Sequence, residues 1–225
     1  MKRLGRLIGA ALLCGMALPV LAAPAKTKDI RNVIILIPDG MSVGGMTLAR
    51  WVQGGKPLAL DEMASGLVRT YNADTPIGDS APAGSAFAMG FKSQTGNVGV
   101  LPAKVGMPGV LPTPEHEIHR PMATVLEAAK LAGKATGLVA TSEIMHATPA
   151  DFSAHAASRS AYDDLSEQQV HNRLDVVFGG GYKFLRPENR KDKDDLLAAL
   201  KAQGYAVLRT PAEMAAFKGG KVWGL

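Results

Sequence analysis

The stretch Gly78-Asp79-Ser80-Ala81-Pro82-Ala83-Gly84-Ser85-Ala86 sets a carboxylate and a hydroxyl directly before a run of small, helix-compatible residues. The pattern predicts a loop that ends at Ser80 and a helix that starts behind it. The free N–H groups and positive dipole end of such a helix face Ser80 and any anion beside it. A serine in that place is suited to attack a phosphoryl group, because its developing alkoxide is stabilised. Pro82 agrees, since proline is tolerated in a first helical turn. The same run reads equally as an ordinary helix start that Asp79 or Ser80 merely caps.

Two further places carry residues able to do chemistry. Asp39 stands in Pro38-Asp39-Gly40-Met41, directly behind an apolar run. Gly40 permits a tight turn that points the carboxylate into a cleft, where it could bind a metal; an Asp-Gly turn without chemistry gives the same residues. The segment from Thr141 through Ala150 and on to Arg159 holds His146, Thr148 and His155. In an extended loop His146 and Thr148, flanking Ala147, present their side chains the same way. An imidazole and a hydroxyl beside a carboxylate suit a hard or borderline cation, and the planar fork of Arg159 suits a phosphate. Each has a plain structural alternative: Thr148 as a cap, His146 as a satisfied loop histidine, Arg159 in a surface ion pair. Glu115-His116-Glu117-Ile118-His119 lacks the spacing of a helical zinc motif and reads as a solvated loop. Gly179-Gly180-Gly181 lacks the Gly-Lys-Ser/Thr ending of a phosphate loop and reads as a turn.

These residues need a frame to position them. Val33 to Ile37 is a continuous β-branched and apolar run, the signature of a buried parallel strand. Met46 to Gln53 reads as a helix, and Gly66 to Tyr71 alternates like a strand. The helix behind Ser80 ends near Gly90. Leu101 to Pro121 contains five prolines and reads as an irregular excursion. Ala123 to Ala132 is helical with Gly133 as its stop, Ala135 to Thr141 a strand, Tyr162 to Asn172 a helix, and Asp175 to Phe178 a strand. Asp192 to Gln203 is a helix, Tyr205 to Leu208 a strand, and Pro211 to Phe217 a short helix. Strands separated by helices imply an α/β fold with a mainly parallel sheet covered on both faces. Ligands bind such sheets beyond the carboxyl ends of the strands, which selects the loops after Ile37, before Ser80 and after Thr141.

Composition narrows the classes. Lys2, Arg3 and Arg6 precede an apolar stretch from Leu7 to Leu21 that ends in small residues, so residues 1–22 read as a secretory signal and the protein as periplasmic or secreted. Cleavage after Ala22 removes three basic residues and no acidic one, so the net charge falls from +5 to +2, 22 basic residues against 20 acidic. No basic run suits nucleic acid. Cys14, the only cysteine, leaves with the signal, so disulfides and thiolate metal sites are not expected behind it. Any metal is then held by oxygen and imidazole, which favours zinc, magnesium or similar ions.

Several of these motifs together resemble the alkaline phosphatase family. Asn32 through Met41 looks like its opening strand, Asp79-Ser80-Ala81 its nucleophile motif, and Gly96-Asn97-Val98-Gly99-Val100 the loop that follows. His146-Ala147-Thr148-Pro149-Ala150, His155, Ser158-Arg159 and Asp175 to Gly181 match in the same order. The resemblance implies a three-layer α/β sandwich, with residues 23–225 as the N-terminal part of a catalytic domain. It also implies hydrolysis of phosphomonoesters through a phosphoserine at Ser80, with two zinc ions and one magnesium as cofactors. Ser80 would touch one zinc, Asp39 would bridge that zinc and the magnesium, and Thr148 would ligate the magnesium. His146 stands near the magnesium where some bacterial members carry aspartate. Arg159 would bind the substrate phosphate, oriented by an ion pair with Asp79. Phosphomonoesters and inorganic phosphate are the implied partners, with a homodimer as the full-length assembly and no specificity for nucleic acid. Zinc lowers the pKa of a serine hydroxyl and of attacking water, while Arg159 and the helix end neutralise charge on the transferring group.

The family takes its remaining zinc ligands from its second half, and no Asp-His pair follows His171 here. The chain is therefore expected to be truncated and inactive by itself. Two other classes stay open: a serine esterase of the Gly-Asp-Ser type, and a non-catalytic domain that binds phosphate or metal.

Overall fold

The computed structural model describes residues 30–225; the expected signal, residues 1–22, and Cys14 lie outside the described residues. The chain divides into two units, Met1–Pro38 and Asp39–Leu225. In the described part of the first, the run Val33–Ile37 is irregular rather than the buried strand its composition predicts, and Leu36 is 86% exposed. A strand exists only where a neighbour completes its hydrogen-bond ladder, and this run joins no sheet among the described residues.

The second unit is built on a four-stranded sheet of β1 (Gly137–Glu143), β2 (Val176–Gly180), β3 (Ala206–Leu208) and β4 (Val222–Gly224), in the spatial order β1-β2-β4-β3. Every ladder is parallel, as the alternation of helices and strands predicts. The α-helices of the described residues are α1 (Val43–Val52), α2 (Ser80–Met89), α3 (Val125–Leu131), α4 (Ala147–Ala150), α5 (Tyr162–His171), α6 (Leu196–Ala202) and α7 (Pro211–Ala216), of which several flank the sheet. This is the expected α/β architecture of helices around a parallel sheet. Ile144, Met145, Leu165, Val170, Val177, Leu200 and Trp223 pack together as its core.

Local chemistry sets the helix starts. Thr124 and Glu127 form a reciprocal capping box on α3, and Thr210 and Glu213 form another on α7 behind Pro211. Asp195 caps α6 by accepting from the Ala198 N–H at 2.9 Å. α2 is buried along most of its length through Ala81, Pro82, Gly84, Ser85, Ala88 and Met89, so its small residues serve close packing. The excursion from Leu101 to Pro121 is irregular apart from one short 3-10 turn, Glu115–Glu117. Single antiparallel bridges, Val98 with Ala156 and Val100 with Pro121, stitch it and the preceding loop to the body.

Two expectations about elements need correction, and one strand is not expected from the sequence. Gly66–Tyr71 alternates like a strand but forms none, again for want of a ladder partner. β1 runs on to Glu143, so the active loop begins two residues beyond Thr141. The residues Val222–Gly224, which carry no strand signal by length, form β4 between β2 and β3. Inserted there, β4 buries Trp223 completely, while Trp51 on α1 is 72% exposed. Trp223→Ala is accordingly expected to destabilise the fold by about 3–5 kcal/mol, the cost of emptying a core aromatic site. Trp51→Ala should stay within roughly 0.5 kcal/mol. Urea denaturation of the two variants checks this, and equal effects would contradict the placement of β4.

Candidate active site

Ser80 is the first residue of α2, and Asp79 holds the N-cap position with extended backbone, φ −110° and ψ 143°. Asp79 does not cap the helix with its side chain. Its Oδ2 accepts instead from the Gly96 N–H at 2.8 Å, and its Oδ1 accepts from Arg159 Nη1. The capping alternative is thus excluded for Asp79. Its carboxylate is committed to an ion pair, and its backbone N–H donates to Asn72 Oδ1 at 3.3 Å. A charge-assisted bond of this kind, partly screened from solvent, contributes about 1.5–3 kcal/mol.

Arg159 is held from several sides. Its backbone N–H donates to the Gly96 carbonyl at 2.7 Å, and its Nη2 donates to His146 Nε2 at 3.1 Å. Asp79 and His146 use two of the five N–H donors of a guanidinium, so three remain for an anion. A cleft of about 550 Å³ opens beside Arg159, lined among others by Tyr162, Asp163, Phe184 and Lys191. That volume is sufficient for a small-molecule ligand.

Asp39 and Thr148 form a second pair. Thr148 Oγ1 donates to Asp39 Oδ2 at 2.9 Å. The expectation that His146 and Thr148 face one way from an extended loop is corrected here. His146 stands at the N-cap position of α4 without a side-chain capping bond, and Thr148 lies inside the helix. Residues two apart on a helix do not share a face, so His146 turns to Arg159 and Thr148 to Asp39. The structure therefore assembles Asp79, Arg159 and His146 in one network and Asp39 with Thr148 in another. No recorded hydrogen bond joins Ser80 to either network among the described residues.

A carboxylate and a hydroxyl are oxygen donors and fit a hard divalent cation. His146 fits less well as placed, because the Arg159 guanidinium occupies its Nε2 lone pair. Among the described residues, three His, Asp or Glu side chains with ligand atoms within 4.8 Å of one another occur at Glu167, Asp192 and Asp194, away from Asp39. Asp192 there already pairs with Arg190 at 2.5 Å. The Glu115–His119 segment is a surface turn in which Glu117 pairs with Arg120 at 3.1 Å.

Sequence reasoning missed the support behind the site. The loop Gly96–Val100 links nearly all of it. Gly99 has φ +60°, and a Cβ there would lie 2.6 Å from both the Ala154 carbonyl and His155 Nδ1, so only glycine fits. His155 Nδ1 donates to the Gly99 carbonyl at 2.7 Å, and its Nε2 meets Glu127 Oε1 at 3.0 Å. Two acceptors on one ring favour the imidazolium. Burial works to lower the His155 pKa, but the Glu127 hydrogen bond and the Gly99 carbonyl raise it overall. For Glu127 burial works to raise the pKa, and the bonds from His155 and Thr124 bring it below the ordinary carboxylate value.

The pair gives the fold a pH signature. The raised His155 contributes stability that is complete below its unfolded pKa, about 6.5, and is lost as pH rises through its higher folded pKa. The depressed Glu127 contributes stability present above about 4.3 and lost as pH falls through its lower folded value. The stability difference between the parent chain and Glu127→Gln is therefore expected to be largest between roughly pH 4.3 and 6.5, about 1–2 kcal/mol, and to shrink toward pH 9. Thermal denaturation across that range checks it; a difference that grows with alkalinity would contradict the imidazolium.

Comparison with known proteins identifies relatives of the chain. The family model described as alkaline phosphatase matches residues 30–221. The alkaline phosphatase of Schizosaccharomyces pombe is 37% identical over 193 residues, covering 78% of this chain and 34% of that protein. The crystal structure of Thermus thermophilus alkaline phosphatase superposes with a TM-score of 0.66 at 35% identity, covering 80% of this chain and 36% of that one. A histidine-to-aspartate mutant of TAB5 alkaline phosphatase, solved with Mg bound in the M3 site, superposes with a TM-score of 0.65 at 26% identity, covering 80% of this chain and 48% of that one. The chain thus spans between a third and a half of the length of these relatives. On its sequence match across nearly the whole described region and on its shared fold, the chain belongs to the alkaline phosphatase family.

Proposed function

We propose that the complete protein hydrolyses phosphomonoesters through a phosphoserine formed at Ser80. The observation that carries this reading is the Asp79–Arg159 ion pair, set at the start of α2 with Ser80 as the first helical residue. The three unused N–H donors of Arg159 and the dipole end of α2 bind and neutralise the phosphate oxygens. Ser80 Oγ attacks phosphorus as the bond to the leaving alcohol breaks, and water then cleaves the phosphoserine to release inorganic phosphate. A Gly-Asp-Ser esterase needs a histidine on its serine. Here His146 is engaged by Arg159, and His155 by Glu127 and Gly99.

Asp39 and Thr148 are the residues suited to magnesium, and the magnesium in the TAB5 structure supports a cation of that type. Asp39 and Ser80 would contribute to zinc, with His146 beside the magnesium. Bound metal supplies Lewis acidity that lowers the pKa of a serine hydroxyl and of water. Two closed zinc sites need more ligands than Asp39 and Ser80 provide. The reading assigns the rest to the part of the longer relatives that this chain does not match. The proposal further includes export directed by residues 1–22, a periplasmic or secreted location, a full-length homodimer, and no specificity for nucleic acid.

Three outcomes are expected. Labelled inorganic phosphate incubated with the complete enzyme at acidic pH should label Ser80, and peptide mapping that finds another residue would refute the assignment. Arg159→Ala should weaken inhibition by inorganic phosphate roughly 10- to 100-fold, the equivalent of one or two charge-assisted hydrogen bonds. The 225-residue chain supplied with zinc and magnesium should show almost no turnover of a chromogenic phosphomonoester. Activity equal to the complete enzyme and abolished by Ser80→Ala would contradict the ligand count.

A further inference from the structure

We propose that Asp151 is a positioning residue for the Asp79–Arg159 pair, acting through Ser85 to hold the Gly96–Gly99 loop that grips both partners of that pair. The inference rests on reading the pair as the phosphate-binding element. Asp151 lies at the end of α4 and is completely buried. Its Oδ1 bonds with Ser85 Oγ at 2.8 Å, and that hydroxyl accepts the Gly99 N–H at 2.8 Å. Three residues earlier in the same loop, the Gly96 N–H donates to Asp79 Oδ2 at 2.8 Å, and the Gly96 carbonyl accepts the Arg159 N–H at 2.7 Å. One buried side chain thus anchors, through one hydroxyl, the backbone to which the Asp79 carboxylate and the Arg159 main chain are both tied.

The seat of Asp151 is specific. Its Oδ2 packs against Gly84 of α2, where a Cβ would lie 2.2 Å away, so the helix rests directly on the carboxyl group. That oxygen has no hydrogen-bond partner among the described residues. Burial pushes the Asp151 pKa well above the ordinary carboxylate range. The Ser85 bond and the Arg159 charge work in the opposite direction, and the Asp79 charge adds to the rise. The buried carboxyl group supports the loop as a hydrogen-bonding wedge.

The test is a cycle of variants in the complete enzyme with zinc and magnesium, read by the inhibition constant of inorganic phosphate and by hydrogen exchange at the Gly99 amide. Asp151→Ala and Ser85→Ala should each weaken phosphate inhibition about tenfold, the size of one lost hydrogen bond, and speed exchange at Gly99. Asp151→Asn, which keeps the hydrogen bond and carries no charge, should restore most of both. In an Arg159→Ala background, Asp151→Ala should add less than about twofold, because coupled residues are not additive. A full additional loss in that background would overturn positioning and leave a general structural role. Unchanged phosphate inhibition in both Asp151→Ala and Ser85→Ala would overturn it as well. If Asp151→Ala fails to fold, Ser85→Ala carries the same cycle. Unchanged inhibition in Arg159→Ala alone would instead refute the reading of the pair as the phosphate site.

Discussion

The site depends on one choice made by a single carboxylate. Asp79 occupies the N-cap of α2, where an aspartate ordinarily satisfies the first N–H groups of the helix. Here it turns away, toward the Gly96 N–H and the Arg159 guanidinium. The consequence is twofold. The first turn of α2 keeps its N–H groups and its partial positive charge uncapped by Asp79. The guanidinium is fixed beside that same turn with donors to spare. The anion-binding site proposed at Ser80 rests on this one diversion, and a capping Asp79 would have removed both halves of it.

The diversion needs a rigid partner, and the Gly96–Val100 loop provides it. The loop is tied to α2 through Ser85, to α4 through Asp151, and to the α3 capping box through His155 and Glu127. The Val98–Ala156 bridge fixes it to the segment that leads to Arg159. The parallel sheet supplies the base: α4 and the residues that follow it leave the carboxyl end of β1, the edge at which α/β sheets bind ligands. Polar bonds, several of them buried, therefore position the site, while the apolar core at Trp223 and Val177 positions the sheet.

Much of this was legible in the sequence because it is local. The Asp-Ser start of α2, the helices α3 and α7, and the β-α alternation behind Ala123 are each set by neighbouring residues, and they appear within a few residues of where they are predicted. What failed was non-local. Val33–Ile37 has the composition of a core strand, yet composition cannot supply a ladder partner. Val222–Gly224 is too short to show a period and becomes a strand because β2 and β3 bond to it. His146 and Thr148 read as an extended pair, but the helical turn of α4 separates them. Asp151 and Ser85 carried no signal, since nothing in Pro-Ala-Asp-Phe or Gly-Ser-Ala states that 66 residues of separation will close to a 2.8 Å contact.

The central claim is that Asp79 holds Arg159 against the start of α2 in order to bind phosphate. A crystal structure of the complete enzyme with inorganic phosphate tests it most directly. The account predicts phosphate oxygens within about 3 Å of the Arg159 guanidinium nitrogens, close to Ser80 Oγ, with the Asp79–Arg159 and Asp79–Gly96 bonds intact. A phosphate bound elsewhere, or bound with Arg159 turned away and Asp79 capping α2, would contradict it.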